Sequence, residues 1–260
     1  MSRIKAAFET ARSDNRAAFI PYLTAGFPNE DAFITHALEL LSVADMLEVG
    51  LPYSDPLGDG PTIQKSSEQV LENGMTTAKT FDLIKSLRAK TDKPLVIMTY
   101  YNPIYCHQSG EEGFLKDVQM AGADGVILPD LPPDEADTLK PLAEKHGVDT
   151  VFLVAPTSTD ERLETVTKAC RGFIYAVSVT GVTGARDSLP ADVPELVRRT
   201  KRFSDLPVAV GFGVSGAATA RPVAAVADGV VVGSALIRTI EQDGDLAGLA
   251  SEIAGACKKA

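Results

Sequence analysis

The stretch PLVIMTYYNPIYCHQSGEEGFLKDVQMAGADGVILPDLP, residues 94–132, contains two short apolar runs separated by a segment with helical spacing. The runs PLVIMTYYNP (94–103) and DGVILPDLP (124–132) are rich in β-branched and aromatic residues, as buried strands are. Between them, EGFLKDVQMAGA has apolar residues three and four positions apart and a glycine near its end, which is typical of an amphipathic helix. The stretch therefore predicts a strand–helix–strand unit with parallel strands.

The same kind of unit recurs along the chain. Six further apolar runs are AFIPYLTAG (18–26), DMLEVGLP (45–52), DTVFLVAP (149–156), GFIYAVSV (172–179), PVAVGFG (207–213) and GVVVGSAL (229–236). Eight units in 260 residues, with no obvious linker, favour an α/β fold of the closed (β/α)8 TIM-barrel type. We expect one domain over residues 1–260; a doubly wound open sheet is the alternative. The spacing of Ile4, Ala7, Phe8 and Ala11 predicts an extra N-terminal helix.

The charge balance argues against nucleic acid or membrane partners. The chain has 35 acidic and 25 basic residues, and its net charge of -10 repels phosphate backbones and anionic lipid. No apolar run approaches the roughly 18 residues of a membrane span, and no signal peptide is evident. Cys106, Cys170 and Cys257 form no CxxC pair, so we expect free thiols and a cytoplasmic location.

Glu48 is an acidic residue within an apolar strand. Side chains alternate along a strand, so Leu47 and Val49 should face the helices while Met46, Glu48 and Gly50 face the barrel interior. Active sites of such barrels lie at the carboxyl ends of the strands, where Glu48 would point. A buried carboxylate without a partner has a raised pKa. Alternatively, Glu48 is a structural glutamate held by a backbone hydrogen bond or kept solvated at the strand end.

The other strands carry few groups that ionise. None of them contains a lysine or a histidine, which disfavours Schiff-base and pyridoxal chemistry in this chain. His36, His107 and His146 have no metal-binding spacing, so no metal site is expected. The loop SDPLGDGPT adds Asp55 and Asp59. Two carboxylates in different environments can divide acid and base roles, although both aspartates also suit ordinary turns, which is the interpretation we favour for Asp55.

Glycines follow the last three strands and predict an anion site. Gly213, Gly233 and Ser234 follow the seventh and eighth strands, and Gly184 lies in the long loop after the sixth. Backbone N–H groups at glycines and at a helix N-terminus bind phosphate well, and barrels of this type often use these loops for it. The sixth loop is either a lid over the site or a disordered surface loop. The residues alone thus predict acid/base chemistry on a phosphorylated small molecule.

Six motifs of this chain resemble those of the tryptophan synthase α subunit, and the likeness spans nearly the whole sequence. They are LEVGLPYSDPLGDGPTIQ (47–64), MTYYNPI (98–104), LPDLPPDE (128–135), IYAVSVTGVTGAR (174–186), VGFGVS (210–215) and VVGSALI (231–237). The resemblance implies a cofactor-free retro-aldol cleavage of indole-3-glycerol phosphate to indole and glyceraldehyde 3-phosphate by a carbon–carbon lyase of tryptophan biosynthesis.

The resemblance also implies roles for ten residues. Glu48 would be the acid/base glutamate, and Asp59 the carboxylate that accepts from the indole N–H. The remaining expectations are substrate contacts at Tyr22, Tyr175, Thr183 and Phe212 and phosphate contacts at Gly184, Gly213, Gly233 and Ser234. At Val179 and Thr180 this chain differs from members with an arginine in the loop, so lid contacts are not carried over.

A partner is implied as well. The family pairs with a pyridoxal-phosphate β subunit in an αββα assembly and passes indole to it through an internal channel, so the cofactor belongs to the partner. The Asp55 loop, YYNPI and LPDLPPD match the partner-facing side, although they also suit strand-end turns. Two rival functions are a phosphosugar isomerase or epimerase and a noncatalytic barrel that regulates a partner. The near isolation of Glu48 disfavours the first, and the presence of both carboxylates disfavours the second.

Overall fold

Eight parallel strands form a closed barrel in the computed structural model, which describes residues 2–177, 192–211 and 213–259. The strands are β1 (Ala18–Thr24), β2 (Leu47–Gly50), β3 (Leu95–Met98), β4 (Gly125–Leu128), β5 (Asp149–Val154), β6 (Ile174–Val177), β7 (Val208–Gly211) and β8 (Gly229–Val232). They are ordered β1 to β8 around the barrel, and β8 pairs with β1. This closure confirms the TIM barrel and excludes the open sheet.

Helices surround the barrel. They are α1 (Arg3–Ser13), α2 (Glu30–Val43), α3 (Pro61–Glu72), α4 (Thr77–Arg88), α5 (Tyr101–Tyr105), α6 (Gly110–Ala121), α7 (Leu139–Lys145), α8 (Asp160–Ala169), α9 (Asp192–Thr200), α10 (Ala217–Val226), α11 (Ser234–Glu241) and α12 (Leu246–Ala256). Several begin with a side-chain cap, as at Asn29 and Thr159, which satisfies an amide that the helix leaves unpaired. Among the described residues, no helix has both the length and the apolar character needed to cross a membrane.

Strand alternation divides the core as expected. Leu47 and Val49 of β2 pack with the helices in the larger apolar cluster, whereas Met46 belongs to a smaller cluster inside the barrel. That inner cluster includes Ile20 of β1 and Val96 of β3. Because successive side chains of a strand point to opposite faces, Glu48 turns inward with Met46. The predicted orientation of β2 is therefore confirmed.

Helix α1 closes the amino end of the barrel. Its Ile4 and Phe8 are buried, and Phe8 lies 5.6 Å from the ring of Phe173 in the inner cluster. A Cβ added to Gly125 would lie 3.2 Å from Ile4, and one added to Gly229 would lie 3.1 Å from Phe8. Both glycines are the first residues of their strands, so the close packing of α1 against this end depends on their lack of a side chain. The predicted N-terminal helix is confirmed.

Three aspartates at the amino end connect neighbouring strands. Each stands at the start of a strand, accepts a hydrogen bond from a backbone N–H of the preceding strand and forms an ion pair with a basic side chain. The groups are Asp45 with Phe19 N (2.8 Å) and Arg16 (2.6 Å), Asp124 with Leu95 N (2.9 Å) and Arg88 (2.7 Å), and Asp228 with Val208 N (2.9 Å) and Lys201 (2.8 Å). These carboxylates are fully engaged in holding the barrel together.

Candidate active site

A cavity of about 110 Å³ opens at the carboxyl end of the barrel. Residues from β1, β2, β3, β6 and β8 line it, together with the loops that follow β2, β7 and β8 and the N-terminal parts of α3 and α11. The lining residues are Tyr22, Glu48, Asp59, Gly60, Ile63, Met98, Tyr175, Gly213, Val214, Ser215, Val231, Gly233, Ser234, Ala235 and Arg238. The cavity is therefore lined by two acidic side chains, Glu48 and Asp59, by the basic side chain of Arg238 and by several apolar side chains.

Glu48 lies on the barrel wall of this cavity. It is 1 % exposed and stands in register between Tyr22 of β1 and Val96 of β3. Among the described residues, its Oε2 atom has no hydrogen-bond partner. Burial, and secondarily the charge of Asp59, raises the pKa of Glu48 from 4.5 to about 8. At neutral pH the side chain is therefore mainly a carboxylic acid with a proton to give.

Asp59 reaches the cavity from the loop after β2. Its backbone carbonyl accepts from the amide of Gln64 (2.8 Å), and the preceding Gly58 donates its N–H to the hydroxyl of Tyr100 (2.9 Å). Burial raises the pKa of Asp59 from 3.8 to about 6, and hydrogen bonding with Tyr100 offsets part of that increase. Asp59 is thus mainly ionised at the pH at which Glu48 is mainly protonated, which separates the two carboxyl groups chemically.

Two tyrosines lie over glycines of the adjacent strands. A Cβ on Gly50 would lie 2.0 Å from the hydroxyl oxygen of Tyr22, and one on Gly211 would lie 2.2 Å from that of Tyr175. Each glycine is the last residue of its strand, so only a residue without a side chain leaves room for the neighbouring ring. Burial, with the nearby carboxylates, raises the pKa of both phenols well above 10, which keeps them neutral.

The hydroxyl of Tyr22 begins a short buried chain of hydroxyl groups. It hydrogen bonds with Thr24 (3.3 Å), whose own hydroxyl hydrogen bonds with Ser66 of α3 (2.6 Å). Ser66 in turn donates to the carbonyl of Ile63 (2.8 Å), a residue that also lines the cavity. The chain links β1 to the first turn of α3, directly after the loop that carries Asp59.

Glycines and a helix N-terminus form the opposite side of the cavity. Gly213 has a φ of +80°, a backbone conformation that favours glycine, and it follows β7. Gly233 follows β8, and Ser234 is the first residue of α11. Unpaired N–H groups and the helix dipole make such an N-terminus attractive to anions. Arg238, one turn further along α11, also faces the cavity.

Comparison with known proteins identifies the family. The family model for the tryptophan synthase alpha chain matches residues 8–257. The tryptophan synthase alpha chain of Deinococcus radiodurans is 52% identical over 260 residues, covering 100% of this chain and 96% of the relative, and that of Opitutus terrae is 46% identical over 244 residues, covering 94% and 91%. The chain belongs to the tryptophan synthase α-chain family.

Solved structures of the family have the same fold. A structure of Mycobacterium tuberculosis tryptophan synthase matches with a TM-score of 0.93 and 42% identity, covering 100% of this chain and 99% of that one. A mutant tryptophan synthase α subunit from the hyperthermophile Pyrococcus furiosus matches with a TM-score of 0.84 and 38% identity, covering 93% and 99%. The resemblance stated from the sequence motifs is confirmed.

The cavity brings together seven of the ten residues expected from the sequence. They are Tyr22, Glu48, Asp59, Tyr175, Gly213, Gly233 and Ser234. The other three, Thr183, Gly184 and Phe212, lie outside the described residues, as does the proposed lid from Val179 and Thr180 to residue 191. Asp55 does not line the cavity; it is exposed and accepts from the hydroxyl of Ser54 (2.6 Å), which suits the turn role favoured for it. The roles of all ten residues stay predictions.

Two polar residues of the site were missed from the sequence. Tyr100 is not among the predicted site residues, because nothing local in the sequence indicates that its hydroxyl contacts the Asp59 loop. Arg238 carried a usable signal, since it lies four residues after Ser234 and therefore on the same face of a helix. Across the residues that the structure describes, no cluster of three or more His, Cys, Asp or Glu side chains is arranged to hold a metal ion.

Proposed function

We propose that this chain cleaves indole-3-glycerol phosphate to indole and glyceraldehyde 3-phosphate, with Glu48 and Asp59 as its reacting groups. The activity is that of the family to which the chain belongs. The observation that carries the residue assignment is the meeting of two carboxyl groups with separated pKa values, about 8 and about 6, in one cavity. The reaction needs no net gain or loss of water, electrons or protons.

Glu48 acts first as the acid. Proton transfer from its carboxylic acid to C3 of the indole ring interrupts the aromatic system and makes the bond from C3 to the side chain labile. The raised pKa of Glu48 supplies the protonated form near neutral pH, as a general acid requires. The positive charge that develops on the ring is shared by the indole nitrogen.

Asp59 stabilises that charge. Its ionised carboxylate accepts a hydrogen bond from the indole N–H, which becomes more acidic as the ring becomes cationic. Once it has given up its proton, Glu48 is the base that removes the proton of the side-chain hydroxyl. The C–C bond then breaks, its electron pair returns to the ring to give indole, and the hydroxyl-bearing carbon becomes the aldehyde.

The rest of the cavity orients the substrate. Tyr22 and Tyr175 offer neutral aromatic surfaces for the indole, and Gly213, Gly233 and Ser234 are suited to hold the phosphate. We propose the same division of roles for the remaining three predicted residues, with Thr183 and Phe212 at the indole and Gly184 at the phosphate.

The decisive experiment is indole release from indole-3-glycerol phosphate by Glu48→Gln. Removing the proton-transfer group should lower the rate by at least about 10²–10⁴-fold. Glu72→Gln on the exposed face of α3 is the matched control and should retain full activity. Full activity of a folded Glu48→Gln protein would exclude the assignment. Absence of activity in the unaltered chain, alone and with a β subunit, would favour a noncatalytic role.

We further propose that the chain, as one domain in the cytoplasm, works with a β subunit in an αββα assembly, and that pyridoxal phosphate belongs to that partner. Apolar side chains at the cavity end support docking there: Leu57, two residues before Asp59, is 95% exposed, and Tyr105 after β3 is 67% exposed. Sedimentation of the chain mixed with β subunit tests the assembly. Leu57→Asp should weaken binding, and Met120→Asp on α6 is an exposed apolar control.

A further inference from the structure

Arg238 is the one basic side chain among the described residues that line the cavity. It lies four positions after Ser234, so both residues occupy the same face of α11. Side chains of a helix lean toward its N-terminus, which directs Arg238 back over the turn that begins with Ser234. The arginine is half-buried and lines the same cavity as Gly213, Gly233 and Ser234.

The one acidic residue of α11 is engaged elsewhere. Glu241, three positions further along α11, forms an ion pair with Lys65 of α3. Within the described part of the chain, Arg238 has no carboxylate within ion-pair distance. Burial and the charge of Asp59 raise the pKa of Glu48, whereas burial alone raises that of Asp59 and its hydrogen bond with Tyr100 lowers it; Arg238 contributes to neither. The guanidinium group is therefore separated from the reacting carboxyl groups.

A phosphate in this cavity needs a cation for an electrostatic reason. The chain has a net charge of -10, and the cavity contains the ionisable groups of Glu48 and Asp59, so a dianion enters against a negative field. Backbone N–H groups at Gly213 and Gly233 provide partial charges only. A guanidinium group adds a full charge and paired donors whose geometry matches phosphate oxygens.

We propose that Arg238 binds the phosphate group of the substrate and thereby determines which end of the molecule enters the glycine side of the cavity. This proposal rests on the proposed function for the identity of the substrate. Arg238 contacts a group that does not react, so it stabilises the bound substrate and the transition state equally. Its loss should therefore raise KM and leave kcat nearly unchanged.

The test compares Arg238→Met, Arg238→Lys and Arg12→Met in the full chain. Arg12 is exposed on α1 at the opposite end of the barrel, so its replacement removes the same charge from outside the site. Arg238→Met should weaken calorimetric binding of glycerol 3-phosphate and raise KM by about 10- to 100-fold, with kcat within about threefold. Arg238→Lys should recover part of the affinity, and Arg12→Met should match the unaltered chain.

Dephosphorylated indole-glycerol provides a second measurement. If Arg238 acts on the phosphate, kcat/KM for this compound is the same in the unaltered chain and in Arg238→Met. Unchanged affinity for glycerol 3-phosphate in folded Arg238→Met overturns the proposal, and so does an equal loss with indole-glycerol. If Arg238→Met does not fold, Arg238→Gln replaces it in the same assays. A chain that binds glycerol 3-phosphate through Arg238 but releases no indole supports this site and overturns the proposed function.

Discussion

The two ends of the barrel use carboxylates in opposite ways. At the amino end, Asp124 accepts from a strand N–H and from the guanidinium groups of Arg3 and Arg88. At the carboxyl end, Glu48 is buried even more completely, yet its Oε2 atom has no partner in the described part of the chain. The oxygens of Asp124 are thus occupied by donors, whereas Oε2 of Glu48 is available to a substrate. Asp124 is therefore an acidic residue that stabilises the fold, and Glu48 is one suited to proton transfer.

Removing a paired carboxylate should have the largest effect on stability. Asp124→Ala removes the carboxylate that pairs with Arg88 and leaves the Nη2 of Arg88 and the N–H of Leu95 without their acceptor in a poorly solvated place, so we expect a loss of about 3–5 kcal/mol in the free energy of unfolding. Urea unfolding measures the loss. Asp55→Ala, in the exposed turn, is the control and should change stability by about 0.5 kcal/mol or less. A loss below about 1 kcal/mol for Asp124→Ala would contradict the stabilising role of this paired carboxylate.

Removing the charge of Asp59 should affect the reaction and its pH dependence. In the unaltered chain, kcat/KM should be highest between about pH 6 and pH 8, where Asp59 is ionised and Glu48 is protonated. Asp59→Asn should lower kcat by about 10²-fold and abolish the acid limb of the profile. Because the charge of Asp59 raises the pKa of Glu48, the alkaline limb should move below pH 8. An alkaline limb that stays in place contradicts this coupling.

Neutralising Glu48 should stabilise the protein, in contrast to Asp124. The folded-state pKa of about 8 lies above the ordinary 4.5, so the folded chain binds more protons than the unfolded one between these values. Its stability therefore falls as pH rises through that window. Glu48→Gln has no such titration, so its advantage should grow from pH 4.5 and level off above pH 8, at on the order of 1–3 kcal/mol. Thermal unfolding of both proteins from about pH 5 to pH 9 measures this difference in stability. A difference that does not change with pH contradicts the prediction.

The smallest effect is expected at Tyr100. Tyr100→Phe removes the hydroxyl that accepts from Gly58 and hydrogen bonds with Asp59. That hydrogen bond lowers the pKa of Asp59, so its loss should move the acid limb of kcat/KM to higher pH and reduce activity by about three- to tenfold. Tyr101→Phe, whose hydroxyl donates to Glu111, is the adjacent control and should leave the limb in place. A limb that moves equally in both variants rules out a specific role for Tyr100.

The sequence predicted the fold well because strand patterns are local. Alternation in residues 46–50 was sufficient to turn Glu48 inward, and eight evenly spaced apolar runs were sufficient to favour closure. Local sequence patterns do not predict which charged residues form ion pairs. Asp45 and Arg16 are separated by 29 positions, and they meet only because the barrel brings their strands together.

The site was predicted in part for the same reason. Asp59 was proposed from a loop whose path the sequence does not determine, and family resemblance supported it where spacing did not. Tyr100 depends on a contact across 42 positions, between the end of β3 and the loop after β2, so no local pattern reveals it. Arg238 differs, because its spacing of four residues from Ser234 is a local pattern that places both on one face of a helix.

Helix α1 covers the end of the barrel opposite the mouth of the cavity. Ile4 and Phe8 seal the amino end, and the inner layer above them is filled by side chains such as Val96 and Phe173, so the described residues leave no rear exit along the barrel axis. The reaction makes two products from one substrate within a blind-ended chamber. As far as the described residues show, both products leave at the end of the barrel where the substrate entered, and a protein docked there would determine which of them departs to solvent and which is handed on.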